Sequence, residues 1–187
     1  MSKNKILFLS KILCQICLVF YALGLLFAAA GYVYWFMDPE YFQNFVVDNA
    51  TDNFLKITSL RGDETLIGDG RFLLSDISPL SLTYLYIQLT GSFILIFLSI
   101  QELKKVIESV ENINTFREEN VLSFRKIGLF ALGYCFLNIV SFAGTAENTS
   151  MRIVLDPTAV IIMLAGFLLS EIFSEGSKLT EESRMTI

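Results

Sequence analysis

Four long stretches of this chain carry no charged side chain, and they constrain its fold more than any other feature. They are residues 12–37, 77–101, 127–146 and 157–170, which are 26, 25, 20 and 14 residues long. A helix rises 1.5 Å per residue, so about 20 apolar residues cross the ~30 Å hydrocarbon core of a bilayer. The pattern predicts an all-α integral membrane protein with four transmembrane helices and argues against a soluble domain.

The ends of these stretches define the expected organisation of a single membrane domain, residues 1–187. Asp38 and Pro39 predict the end of the first span, because proline cannot continue a helix. Pro157 suits the first turn of the fourth span. In chain order, the expected parts are span one (11–37), an outer loop (38–78), span two (79–101), a cytoplasmic helical hairpin (102–124), span three (125–145), span four (156–174) and a cytoplasmic tail (175–187).

Basic residues predict the orientation of these spans. The N-terminal segment up to Lys11, residues 102–126 and the tail together carry ten Lys and Arg, whereas the two other connections carry four. Cytoplasmic segments of membrane proteins are enriched in Lys and Arg. We therefore expect a multi-pass membrane protein with both termini in the cytoplasm.

The loop between spans one and two is acidic and has some features of β-structure. It contains eight acids and three bases. Residues 54–60 alternate partly between apolar and polar, residues 61–63 and 68–70 are typical of turns, and residues 72–74 suit a return strand. The pattern predicts a small extracytoplasmic loop or β-hairpin cap.

The second helix is expected to continue beyond the membrane. Leu103, Val106, Val110 and Ile113 recur at spacings of three and four, which is typical of an amphipathic helix. This helix is predicted to project about three turns further. Residues 115–118 fit a capping box, so that a new helix is expected to begin near Phe116 and to enter span three.

Composition excludes several classes of function. The chain has no histidine, which removes the catalytic triads that need it and most catalytic zinc sites. The net charge of −5 and the absence of a basic run argue against direct binding of nucleic acid. Cys14 and Cys17 lie within an apolar span, where two small apolar side chains on one helix face are the better interpretation. We predict no enzyme, no cofactor and no metal site.

Two segments are similar to the motifs of a known family. Residues 115–121, followed by 124–128, are similar to the signature PF-x-EENV-x-x-LRKIG between spans two and three of that family. Residues 168–182 and 186–187 are similar to its tail, AEIFRRGAKLQEEQDLTI. The chain departs from the family at Thr115, where proline is common, and at residues 183–185, where the family tends to Gln-Asp-Leu.

On these motifs the chain resembles the YoaS-like group of small bacterial membrane proteins, the domain of unknown function DUF 2975. The resemblance covers the whole four-span layout and implies a location in the bacterial plasma (inner) membrane. No activity is established for the family as such, and its members lie beside genes for small helix-turn-helix regulators of the Cro type. The resemblance therefore implies a regulatory partnership.

The leading hypothesis is a regulatory or sensory protein that docks a cytoplasmic partner, such as a small helix-turn-helix transcription regulator. An equally favoured alternative is that the same motifs pack the cytoplasmic ends together, with their carboxylates pairing Arg125 and Lys126. The candidate docking residues are Thr115, Phe116, Glu118, Glu119, Asn120, Glu171, Gly176, Leu179, Glu181 and Glu182.

A transporter or channel subunit that works as a homo-oligomer in the lipid bilayer is the alternative function. Its candidate residues are the amides within the spans, Gln15, Gln88 and Asn138. Asn138 and Ser141 are expected inside span three, where a hydrogen bond between helices is the favoured interpretation. The spans contain no charge near their middle, which argues against an ion or proton pathway.

Overall fold

Four α-helices dominate the part of the chain that the structure describes. The computed structural model describes residues 3–48, 56–59, 71–111, 117–144 and 149–185. The four helices in these ranges are α1 (Lys3–Met37), α2 (Pro79–Glu111), α3 (Glu118–Asn138) and α4 (Pro157–Met185). Each is long and apolar enough to cross a membrane. The helices indicate a multi-pass membrane protein, as the charge-free stretches predict.

Local sequence explains where several helices begin and end. α1 ends at Met37, immediately before Asp38 and Pro39, as predicted. At the start of α2, the Ser78 hydroxyl accepts a hydrogen bond from the backbone N–H of Ser81 at 3.2 Å, so that Ser78 acts as the cap before Pro79. α4 begins at Pro157, also as predicted.

The second and fourth helices continue well beyond the charge-free stretches. α2 runs unbroken to Glu111, which confirms the predicted extension over the described residues. Its predicted apolar stripe is only partly correct, because Val106 is buried but Leu103 is 41% exposed, and Ile113 lies outside the described residues. α4 continues through the predicted tail to Met185.

α3 begins at Glu118, and the carbonyl of Arg117 accepts hydrogen bonds from the backbone N–H groups of Asn120 at 3.0 Å and Val121 at 3.4 Å. The predicted capping residue Thr115, together with Phe116, lies outside the described residues.

A small antiparallel sheet lies between α1 and α2 in the chain, but its pairing differs from the predicted hairpin. β1 (Phe45–Asp48) is central and pairs with both β2 (Lys56–Ser59) and β3 (Arg71–Leu73). Val46 lies opposite Thr58 on one side and Leu73 on the other. The two predicted strands are present, but the predicted pairing between them is wrong, since Phe45, Val46 and Val47 form a strand with high β-propensity between them.

The third span is shorter than predicted. α3 ends at Asn138 rather than near residue 145, and residues expected to be helical form β4 (Val140–Gly144), which pairs with β5 (Thr149–Ile153). Ser141 therefore lies on a strand opposite Arg152 and not inside a span. The Tyr84 hydroxyl and the Gln88 amide of α2 both donate hydrogen bonds to the carbonyl of Val140. These donors stabilise the chain where it leaves the helix.

The contacts divide the chain into two compact units. One comprises Leu25–Gly91 and Leu137–Asp156. Within it, Tyr32 of α1 stacks on Tyr86 of α2 with ring centroids 4.2 Å apart. Trp35 is 7% exposed and donates its indole N–H to the carbonyl of Leu74 at 2.9 Å. Aromatic packing and this hydrogen bond therefore hold the sheet region against the helix ends of the same unit.

The other unit comprises Met1–Gly24, Ser92–Phe136 and Pro157–Ile187. Within it, α3 and α4 approach each other closely at Gly128 and Gly166, both of which are buried. One turn away, the Ser170 hydroxyl donates to the carbonyl of Val121 at 3.1 Å. Small residues allow two helices to approach in lipid, and the hydroxyl adds a hydrogen bond where they meet.

Candidate functional site

A buried carboxylate joins α2 to α3 in the unit that comprises Met1–Gly24, Ser92–Phe136 and Pro157–Ile187. Glu102 is the first residue after the charge-free stretch 77–101, yet only 7% of it is exposed. Its Oε2 accepts a hydrogen bond from the Ser123 hydroxyl at 2.9 Å. Its Oε1 accepts from Lys105 Nζ at 2.7 Å and from Lys126 Nζ at 3.5 Å. Hydrogen bonds to an ionised group are stronger than neutral ones, so this cluster fixes the two helices at one depth.

A second polar contact continues the α2–α3 interface. The Asn120 amide donates to the Ser109 hydroxyl at 2.9 Å, and Asn120 is only 2% exposed. On α2, Glu102, Val106 and Ser109 are separated by four and three residues, so they share one helix face. Asn120 and Ser123 share a face of α3 for the same reason. The polar contacts between α2 and α3 therefore follow from the spacing of these residues along each helix.

An open, polar cavity of about 430 Å³ is lined by these side chains and their neighbours. Arg117, Glu119 and Leu122 of α3 contribute to its wall, and Lys105 and Lys126 are 60% and 52% exposed around it. Arg117 Nη1 lies 4.0 Å from a carboxylate oxygen of Glu119. The cavity therefore combines buried hydrogen-bonding groups with accessible cations.

The first helix contributes polar contacts to the same part of α2. Lys11 Nζ lies 3.2 Å from Glu108 and 3.9 Å from Glu111. Lys104 Nζ donates to the side-chain oxygen of Gln15 at 3.0 Å. The amide of Gln15, a candidate for a transport pathway, thus has a defined partner on the neighbouring helix.

The structure separates the candidate docking residues of α3 by their exposure. Glu118 and Glu119 are exposed in its first turn, whereas Asn120 is buried against Ser109. Asn120 therefore packs against α2 in this structure, and the docking role of these residues stays a prediction. Thr115 and Phe116 fall outside the described residues.

The candidates on α4 lie mainly on its continuation beyond the charge-free stretch, residues 171–185, which we name the α4 extension. Glu171, Leu179, Glu181 and Glu182 are exposed, and Gly176 is half-buried. Leu179 is 65% exposed although it is apolar. These candidates therefore share one helix, whereas Glu118 and Glu119 belong to another.

The alternative packing hypothesis expected the candidate carboxylates to pair Arg125 and Lys126. The structure pairs Lys126 with Glu102 of α2, a residue that the sequence analysis did not single out. The available signal was its spacing of four residues from Val106, which places a carboxylate on the buried face of an amphipathic helix.

The amide of Gln88 has a structural role in the described contacts. Its Nε2 lies 3.3 Å from the carbonyl of Leu137 and 3.3 Å from that of Val140. The carbonyl of Leu137 lies in the last turn of α3 and that of Val140 just beyond the helix, where no backbone N–H group of the helix is left to bond them. The contact accounts for Gln88 without a solute, and the transporter alternative stays an untested prediction.

The described residues include cysteines and carboxylates, the side chains available for metal-binding or redox chemistry in a chain without histidine. Within these ranges no group of three or more Cys, Asp and Glu side chains is arranged to hold a metal ion. Cys14, Cys17 and Cys135 form no disulfide bond.

Comparison with known proteins places the part of the chain that contains α2, α3 and α4 in one family. The sequence model of a family described as "Protein of unknown function (DUF2975)" matches residues 65–187, about two thirds of the chain. The match includes α2, α3 and α4 with the polar cavity. Neither a search of curated proteins nor a search of solved structures found a match.

Proposed function

We propose that this chain, which belongs to the DUF2975 family, is a regulatory membrane protein that docks a cytoplasmic partner on the α4 extension. The family is described as one of unknown function, so the proposal is argued from the geometry of the chain itself. The observation that carries the proposal is the exposure of Leu179. This leucine is 65% exposed on a helix that has already left the charge-free stretch. An apolar side chain there has no lipid core to enter, and a protein partner would cover it.

The charges around Leu179 favour a basic partner. Glu171, Glu175 and Glu182 are exposed on the same helix, at spacings that place them on one stripe. Glu175 accepts a hydrogen bond from Lys178 at 2.7 Å. An acidic stripe beside an apolar side chain complements a partner surface that is basic around an apolar pocket. Small helix-turn-helix regulators carry basic surfaces because they bind DNA.

Membrane sequestration is the mechanism that follows from this arrangement. A regulator held on the α4 extension would be kept at the bilayer, and its basic surface would be turned toward acids in place of DNA phosphates. A change in the helices that alters the exposure of Leu179 would then release or capture the regulator.

Co-purification tests the proposal directly. The full chain is expressed at native level, solubilised in a mild detergent, and its co-purifying proteins are identified by mass spectrometry. We expect a helix-turn-helix regulator to be retained by the unchanged chain and reduced at least about tenfold by Leu179→Asp, since an exposed apolar contact at the centre of an interface often dominates its affinity.

Thr180→Ala is the matched control, because Thr180 is the next residue and is also exposed. It should retain the regulator, and both variants should accumulate to the normal level. Equal retention by the Leu179 variant, or recovery of this chain with only its own copies, would overturn the docking proposal.

A further inference from the structure

The polar cavity between α2 and α3 lies at the depth of lipid headgroups. On α2, Lys105 follows the end of the charge-free stretch by four residues, and on α3, Lys126 precedes the next stretch by one. At 1.5 Å per residue these are displacements of about 6 Å and about 1.5 Å from the hydrocarbon edge. The headgroup region on each side of a bilayer is roughly 5–8 Å thick. The backbone positions of both lysines therefore fall within it.

The cavity presents donors suited to a phosphate. Each lysine ammonium has three N–H donors, and Glu102 engages one from each lysine. Glu102 is itself buried, and its other oxygen accepts a hydrogen bond from the Ser123 hydroxyl. The fixed carboxylate therefore orients both lysine ammonium groups. Arg117, which is 55% exposed, adds a guanidinium on the same wall. Such grouped cations bind phosphate oxygens through charge-assisted hydrogen bonds.

The balance of charge leaves a positive excess at the lysine pair. The cavity wall as a whole is balanced, with the acids Glu102, Glu108 and Glu119 against the bases Lys105, Arg117 and Lys126. Glu108 is paired with Lys11 at 3.2 Å, and Glu119 lies near Arg117. Glu102 carries one negative charge against the two lysines that contact it. One unit of positive charge therefore remains where the two ammonium groups meet.

An exposed apolar stripe leads from the cavity along α3. Leu122 lines the cavity and is 53% exposed, Leu129 is 51% exposed, and Phe136 is 68% exposed. Their spacing of seven residues places them on one helix face. Leu129 and Phe136 lie within the charge-free stretch 127–146, where a lipid acyl chain would lie beside them, whereas Leu122 lies at the cavity on the other side of Lys126. A headgroup in the cavity and an acyl chain on the stripe therefore belong to one molecule.

We propose that the cavity between α2 and α3 binds an anionic phospholipid, with its phosphate against Lys105 and Lys126 and an acyl chain along Leu129 and Phe136. The site is separate from the α4 extension and goes beyond the proposed docking function. Basic pockets between helices at the membrane surface are suited to this class of lipid. The acyl stripe distinguishes a lipid from a free phosphate ion as the source of the anion.

Native mass spectrometry of the full chain tests the site. The protein is purified in a neutral detergent, depleted of lipid, and titrated with phosphatidylglycerol, phosphatidylcholine or inorganic phosphate. We expect one phosphatidylglycerol to bind in preference to phosphatidylcholine, and millimolar inorganic phosphate to leave it bound. Lys105→Gln and Lys126→Gln should each weaken this binding about fivefold, the effect of one lysine near a membrane surface.

Lys104→Gln is the matched control, because it removes the same charge from the adjacent residue, which contacts Gln15 outside the cavity wall. It should leave phosphatidylglycerol binding unchanged, and Lys126→Arg should preserve the binding that Lys126→Gln loses. Melting temperatures without lipid identify any variant that is misfolded. Equal losses from Lys104→Gln and Lys105→Gln, equal binding of both lipids, or displacement by inorganic phosphate would overturn the proposal.

Discussion

At the scale of single residues, Glu102 has the most consequential environment in the described part of the chain. It is almost fully buried, and its two oxygens accept from one hydroxyl and two ammonium groups. Removing one charge of such a cluster leaves the remaining charges close together without a partner of opposite sign. The carboxylate is thus important to both the helix contact and the proposed lipid site.

Glu102→Gln tests this role. The substitution keeps the shape but removes the charge that holds Lys105 and Lys126, so we expect the free energy of unfolding to fall by about 1–3 kcal/mol. The change is measured as a lower melting temperature in detergent at constant lipid content.

Glu175→Gln is the control for Glu102→Gln, because Glu175 also bonds a lysine three residues away but is exposed. An exposed ion pair contributes little to stability, so this variant should melt as the unchanged chain does. If the two variants lost equal stability, burial of Glu102 would not be the cause.

At the scale of the helices, the contact of α3 with α4 depends on two glycines. A Cβ atom added to Gly166 would lie 2.7 Å from the backbone nitrogen of Gly128 and 2.9 Å from its Cα. Backbone atoms cannot yield as a flexible side chain can, so the helices themselves would have to move apart. Separation would also lengthen the nearby hydrogen bond from Ser170 to Val121.

Gly166→Ala should therefore destabilise the chain by about 1–3 kcal/mol, the usual cost of overpacking. Thermal unfolding in detergent measures the loss. Gly31→Ala provides the comparison, since a Cβ at Gly31 meets nothing within 4 Å. It should leave the melting temperature unchanged or slightly higher, because alanine favours a helix more than glycine does. A stable Gly166→Ala variant would contradict the close approach of the helices.

The same scale shows which elements can be predicted from the sequence. The helices of the spans follow from charge-free stretches, and their boundaries at Met37 and Pro157 follow from nearby prolines. β4 was missed because Val140–Gly144 is also free of charge, and apolar composition does not distinguish a strand from the last turns of a helix. The pairing of β1 with two strands depends on contacts distant in the chain.

The polar site was only partly accessible to the same reasoning. Asn120 was selected as a docking residue from a motif, but its burial depends on Ser109 of another helix. The sequence pattern does not identify Glu102 as a site residue, because its partners Ser123 and Lys126 are 21 and 24 residues away in the chain. Periodicity predicts which face a residue occupies, whereas the neighbour on that face depends on how the helices pack.

At the scale of the whole molecule, the orientation predicted from basic residues determines which groups a cytoplasmic partner can reach. It can be measured by cysteine labelling after the native Cys14, Cys17 and Cys135 have been replaced by alanine. Single cysteines are then introduced by Glu40→Cys or Thr180→Cys, both at exposed positions.

In intact bacterial cells, a maleimide that cannot cross membranes should label the Glu40→Cys variant and spare the Thr180→Cys variant. Permeabilised cells should show labelling of both, which controls for reactivity. The reverse pattern in intact cells would place the α4 extension outside, and both the orientation and the docking proposal would then fail.

The continuity of α4 makes its two parts a single lever. No break separates residues 157–170 from the α4 extension, so any tilt of the first part is transmitted to the second. Over the 15 residues of the extension, about 22 Å at 1.5 Å per residue, a tilt of roughly 10° moves the far end by about 4 Å. Helices in bilayers tilt in response to hydrocarbon thickness. A bilayer of different thickness that tilted the span would thereby displace Met185 by several ångströms.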